Sequence, residues 1–258
     1  MFARICSTLA LLVASSVAQT PRVHVGAAVD CNAAVLRAID AMPSGGSYAT
    51  TAQANLALAS AISLNSQSLL LEPVKAQPSY CSGATYLAFL GAIRELLAAG
   101  KITLDDRARA ALLVQGQRDG EGLWGRWNAN GPGTARFFTE AKLGRNFTDW
   151  SQARPGDFLK IFWTAEIGKF ERGHSVVYLG RQTVGGVEHV NFWSSNQPLG
   201  YGLKMVPRKK IVWAVFSRLE NPSALSNVPL LPRTDKYLAS LLTVRSSQEE
   251  VRTRCALE

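Results

Sequence analysis

From Cys81 to Leu97 the chain is almost wholly apolar or small, with Arg94 and Glu95 its charged exceptions, and Gly100 closes the run. It reads as a helix apolar on most of its circumference, and such a helix is stable only where neighbours cover it nearly all round. The rest of the chain has to supply that shell. Pro78-Ser79-Tyr80 breaks the backbone immediately before Cys81, so the helix is expected to open at the cysteine.

The candidates for the shell lie on both sides. Residues 19–30 read as a leader, and residues 32–42 as a short helix stopped by Pro43 and Gly45-Gly46. Thr50 to Leu71 is rich in Ala and Leu and is expected to be helical up to Pro73. Beyond the central run, Thr103-Leu104-Asp105-Asp106 resembles a capping box opening a second helix. Gln115 to Gly133, rich in Gly, Asn and Trp, is expected to be a long loop, and Thr134 to Leu143 a helix that Gly144 ends. After Pro155-Gly156 the period becomes two. Asp157–Trp163, His174–Leu179, Val187–Ser195, Gly202–Val206 and Ile211–Phe216 read as strands. Helices followed by antiparallel strands make an α+β domain. The expected layout is a leader and helical region over residues 19–72, a main domain over 73–218, and a polar tail over 219–258 with one helix around Lys236–Leu242.

The first residues read as an export signal. Arg4 gives a positive start, Leu9–Ala14 a short apolar core, and Ser16-Val17-Ala18 a small-x-small cleavage site, so residues 1–18 are expected to be removed and the protein to be periplasmic or extracellular. The apolar run is too short to span a bilayer, so no transmembrane segment is expected. Of the 4 cysteines, Cys6 falls in the signal, leaving Cys31, Cys81 and Cys255. In an oxidising compartment two of these pair and one stays free. Cys31 and Cys255 lie near the ends of the mature chain, which predicts a Cys31–Cys255 disulfide and a free Cys81. The charge is +9, from 28 basic and 19 acidic residues. A basic surface favours polyanions: nucleic acid, anionic membrane or bacterial wall. No basic run exceeds Arg208-Lys209-Lys210 and no zinc-finger or RNA-binding signature occurs, which argues against nucleic acid.

A thiol in the first turn of a helix sits against the positive end of the helix dipole, which lowers its pKa. A cysteine nucleophile also needs a base within hydrogen-bond reach. Of the 3 histidines, His24 falls in the leader and His189 inside a strand, where a packing role suffices. His174 opens the strand Gly173-His174-Ser175-Val176-Val177-Tyr178-Leu179-Gly180, where a side chain faces a site mouth.

Tyr80-Cys81-Ser82-Gly83, then Arg154-Pro155-Gly156-Asp157-Phe158, then the His174 strand resemble the NlpC-type and CHAP-type papain-like hydrolases of bacterial cell walls. Those families carry a Cys-Ser-Gly helix start, a Pro-Gly-Asp strand start and a His-led strand in that order. The resemblance covers residues 77–217; Tyr80 stands where NlpC-type sequences have Asp. It implies a papain-like fold, with the nucleophile's helix packed on an antiparallel sheet, and an amide- or peptide-bond hydrolase. Peptidoglycan or a peptide is the implied substrate. No cofactor is implied, and no His/Cys/Asp cluster has the spacing of metal ligands. Cys81 is the implied nucleophile and His174 its base, with the Cys81 N–H and either Gln77 or Tyr80 as oxyanion donors.

In that fold the residue that orients the histidine sits on the following strand, Val187 to Asn196. Alternation places Glu188, Val190, Phe192, Ser194 and Asn196 on one face. Val190 and Phe192 mark that face as core-directed, leaving Ser194 and Asn196 at its end. CHAP-type enzymes carry an acid-x-Asn pair near this place, so Asn196 is the expected orienter and Ser194 the alternative. Two other readings stay open: acyl transfer or deamidation by the same residues, and a non-catalytic wall-binding domain. Nothing in the sequence speaks to an oligomeric state.

Overall fold

The computed structural model describes residues 29–65 and 68–258; the signal reading, Cys6 and His24 lie outside them. Helix α1 (Cys31–Asp40) starts where the Asp30 carboxylate accepts the Ala33 N–H. After β1 (Gly45–Gly46), Thr51 caps α2 (Ala52–Ser60) in the same way. The helix expected to continue to Leu71 ends here. The chain turns into a hairpin of β2 (Ile62–Asn65) and β3 (Ser68–Leu71), because Ser63, Asn65 and Ser68 interrupt the apolar stripe while Ile62 and Leu69 are buried. The central helix α3 (Cys81–Ala98) follows. α4 (Asp106–Ala110) is capped by Asp105, two residues later than the expected Thr103. The stretch expected as a loop holds α5 (Gly122–Asn128), which buries Leu123, Trp124 and Trp127. α6 (Gly133–Ala141) then leads into the strands.

The strands are β4 (Gly144–Phe147), β5 (Phe158–Phe162), β6 (Ile167–Gly168), β7 (Gly173–Val184), β8 (Val187–Asn196), β9 (Gly200–Pro207) and β10 (Trp213–Leu219). After them come α7 (Lys236–Ser240), β11 (Arg245–Ser246) and α8 (Gln248–Arg254). One sheet runs β1-β9-β8-β7-β5-β10-β4 and every pairing in it is antiparallel. The architecture is α+β. Among the described residues no helix is long and apolar enough to cross a membrane.

α3 is covered as its composition requires. Residues 82–90, Ala92, Ile93 and Leu96 are all buried. On one side α1 comes so close that a Cβ on Gly91 would lie 2.8 Å from the Ala38 Cβ. On the other, Tyr86 and Phe89 meet Trp127, whose ring lies 4.8 Å from Phe89 and 5.1 Å, edge to face, from Phe158 of β5. Aromatic contacts of this kind make truncation costly, about 3–5 kcal/mol for a buried Phe or Trp. The opposite sheet face packs Phe147, Leu159, Ile161, Val176, Tyr178, Val190, Phe192 and Phe216 into a second cluster under Trp150. β5 therefore buries both faces, Phe158 toward α3 and Leu159 and Ile161 away from it.

The aspartate of the Pro-Gly-Asp motif is fully buried. Arg218 of β10 grips both oxygens of Asp157 at 2.8 and 2.7 Å, and Asn32 of α1 donates to one of them at 2.9 Å. This carboxylate joins the strand start to β10 and α1.

Two sequence expectations are corrected. Residues 219–258 are no loose tail: Leu225, Leu238, Val251 and Cys255 are fully buried and β11 pairs with β6. Arg126, 1 % exposed, donates to Glu140 and to the Pro232 carbonyl, and Arg136 donates to Asp235 and the Arg254 carbonyl. Sparse apolar residues spread over short helices gave no periodic stripe for these contacts. Nor is there a Cys31–Cys255 disulfide. Both thiols are free and buried in separate clusters, Cys31 with α3 and Cys255 with Phe162, Trp213 and Val251. Proximity to the chain ends does not bring them together. Burial pushes Cys31 up to about 11 and Cys255 up to about 12.

Candidate active site

Tyr80 is extended, with φ −144° and ψ 166°, so α3 can begin only at the next residue. The approach to the helix is tied down from three directions. The Ser79 N–H donates to the Ser47 carbonyl at 3.1 Å and the Ala49 N–H to the Ser79 carbonyl at 3.0 Å. The Ser79 hydroxyl donates to Ser195 of β8 at 2.8 Å, and Tyr201 of β9 donates to the Ala76 carbonyl at 2.9 Å. Cys81 is left partly exposed at the positive end of the helix, in a cleft of about 320 Å³.

His174 opens β7 opposite Ile161 of β5, with Phe192 and Trp163 against its ring at 5.6 and 6.4 Å. Its Nε2 lies 3.1 Å from Asn196 Oδ1. The Asn196 amide nitrogen donates to the Ser194 and Gly202 carbonyls at 3.2 and 2.9 Å, so its oxygen has to face the ring. An oxygen acceptor requires hydrogen on Nε2, which leaves Nδ1 of the neutral imidazole free to take a proton from the thiol.

Burial opposes ionisation of Cys81. It is outweighed by the hydrogen bond and charge of His174, then the Ser175 N–H and the Lys160 ammonium, which together bring the thiol down to about 6. Cys81, His174 and Asn196, the residues expected from the sequence as nucleophile, base and orienter, are thus brought together by α3, β7 and β8.

The remaining expectations fare differently. The Ser194 hydroxyl donates to the Ser175 carbonyl at 2.7 Å and braces β8 against β7 instead of holding the ring. The Tyr80 hydroxyl is taken by Asn55 Oδ1 on the cleft wall. The Gln77 carboxamide lies along Gly46, and among the described residues no hydrogen bond joins it to Cys81 or His174. His189 bonds to the Val187 carbonyl.

Tyr48 went unread. The backbone bridge to Ser79 sets Tyr48 beside the thiol, and burial together with the negative charge of Cys81 pushes the phenol up, keeping it a donor. A lone Tyr after Gly45-Gly46-Ser47 carries no sequence signal of this. The cleft also holds Ser82, whose hydroxyl donates to Asn128 at 2.7 Å, and Asp119, which accepts from the Asn130 N–H at 3.2 Å. An ionisable thiol, an oriented imidazole and spare donors at a helix start suit acyl chemistry. No protein-family model, curated protein or solved structure matches the chain.

Proposed function

We propose that the chain is an exported papain-like cysteine hydrolase acting on amide or peptide bonds, with peptidoglycan as substrate. The observation that carries this reading is the Cys81–His174–Asn196 arrangement, in which the amide of Asn196 dictates which imidazole nitrogen is free. The substrate class rests on the resemblance of the Cys81, Pro155-Gly156 and His174 motifs to cell-wall hydrolases, with a net charge of +9 suiting an anionic wall.

Cys81, its proton passed to His174, attacks the scissile carbonyl carbon. The oxyanion is met by the Cys81 N–H at the helix start and by the Tyr48 hydroxyl. As the tetrahedral species collapses, His174 gives its proton to the departing amine and a thioester remains on Cys81. Water, deprotonated by the same imidazole, then attacks the thioester and frees the acid and the thiol. The test is digestion of purified peptidoglycan with mass spectrometry of the soluble fragments. Wild type is expected to release peptide-containing fragments and Cys81→Ala none; release by both, or by neither, removes the reading.

A further inference from the structure

The thiol has charged neighbours for which the acyl chemistry above has no use. Lys160 of β5 lies opposite Ser175 of β7, which lines the cleft with Cys81. Opposed residues share a sheet face, and Phe158 and Val177, two positions along each strand, pack on the α3 side. Lys160 therefore lies on the α3 side of the sheet, and it lines the cleft with Cys81. Its ammonium is held by Glu171 at 2.6 Å, the two side chains being 14 % and 3 % exposed. The second Glu171 oxygen accepts the Gly131 and Gly168 N–H groups, so the carboxylate is fixed. Gly173, one residue before His174, makes the space: a Cβ there would lie 2.5 Å from Glu171 and 2.8 Å from the Lys160 Nζ.

An ion pair so nearly buried loses hydration, and packing alone is served as well by apolar side chains. We propose that the Lys160–Glu171 pair is a positioning element of the nucleophile, in which Lys160 holds a fixed positive charge beside Cys81 that favours the thiolate and Glu171 limits how much of that charge the thiolate feels. This rests on the reading of Cys81 as nucleophile. The other ionisable groups around the thiol are His174 from β7, Tyr48 from the segment beside Ser79, Tyr80 at the helix cap and Asp119 from the loop before α5. Both phenols are pushed up and stay neutral, chiefly by burial. Asp119 has opposite sign to Lys160, and Lys160 adds to the effect of His174 on the thiol.

The experiment follows iodoacetamide alkylation of Cys81 against pH in the full chain, read by mass spectrometry of its peptide, for wild type, Lys160→Met, Lys160→Arg and Glu171→Gln. Removing the ammonium is expected to raise the midpoint by about half a pH unit or more and to slow alkylation at pH 6 about twofold or more. Removing the carboxylate charge is expected to lower the midpoint by a similar amount, and Lys160→Arg to leave it in place. The opposite signs are decisive, because a pair that only braces the loop before β7 shifts both variants the same way or neither. Either of those results overturns the proposal. Should Lys160→Met fail to fold, Glu171→Gln and Lys160→Arg decide by the same criteria. A wild-type thiol that titrates as an ordinary thiol overturns this and the nucleophile reading together, whereas a depressed wild type with unmoved variants overturns this alone.

Discussion

Asn196 shows how a single side chain can set the chemistry of two others. Its nitrogen is committed to the Ser194 and Gly202 carbonyls, so its oxygen requires hydrogen on His174 Nε2 and leaves Nδ1 free to accept a proton. Asn196→Ala is expected to lower kcat about tenfold or more through loss of ring orientation. It is also expected to cost about 1–2 kcal/mol of stability, because two carbonyls lose their donor. Steady-state kinetics and urea unfolding on one preparation check both; full activity removes Asn196 from the mechanism. Tyr48 carries a second prediction. If its hydroxyl serves the oxyanion, Tyr48→Phe lowers kcat by about a hundredfold with little change in KM. A Tyr48→Phe enzyme that changes only KM assigns the hydroxyl to substrate binding. The pH dependence follows from the thiol: its pKa is depressed to about 6, so thiolate is lost as pH falls through 6 and is nearly complete at 7. Alkylation of Cys81 is expected to be half-maximal near pH 6, whereas an ordinary thiol has its midpoint near 8.5.

At the level of elements, α3 holds Cys81, the proposed nucleophile, at the start of a helix that is buried along most of its length. Its apolar circumference is filled by α1 on one side and by the edge-to-face Trp127–Phe158 pair on the other. The contact at Gly91 is the tightest of these, and it makes an unusual prediction. In an exposed helix Gly→Ala stabilises by up to about 1 kcal/mol. Here the new Cβ would meet that of Ala38 at 2.8 Å, so Gly91→Ala is expected to destabilise by about 1–3 kcal/mol. Pairing it with Ala38→Gly should recover part of the loss, a coupling that a double-mutant cycle measures. Additive effects would mean that the two helices do not press on each other there.

For the whole molecule, the last residues act as a clamp. α8 lays Val251 and Cys255 against Ala135, Phe162, Trp213 and Val215. The Cys255 carbonyl accepts from Thr139 and Asn146, and the Arg254 carbonyl from Arg136. Ending the chain at Ser246 uncovers that surface and releases those donors. Two buried side chains and their hydrogen bonds suggest a loss of about 3–6 kcal/mol, which for a chain of this size lowers Tm by roughly 10 °C or more. Calorimetry of the truncated and full-length proteins checks this; equal Tm values would show that α8 adds nothing to the fold.

What the sequence determined by itself was local. The opening of α3 at Cys81, the five main strands after Pro155-Gly156 and the α+β class followed from breaks and periodicity within short windows, and the Cys81, His174 and Asn196 candidates from motifs and the family they resemble. Tertiary structure decided everything that depends on which distant segments touch. It turned residues 62–71 into a hairpin, buried the expected tail, kept Cys31 and Cys255 apart, and brought Tyr48, Lys160 and Glu171 to the thiol. The physical reason is one of range. Helical and strand periodicity records which face of an element is apolar, but not which partner covers it, and a polar side chain acquires its role only from the groups that folding sets around it.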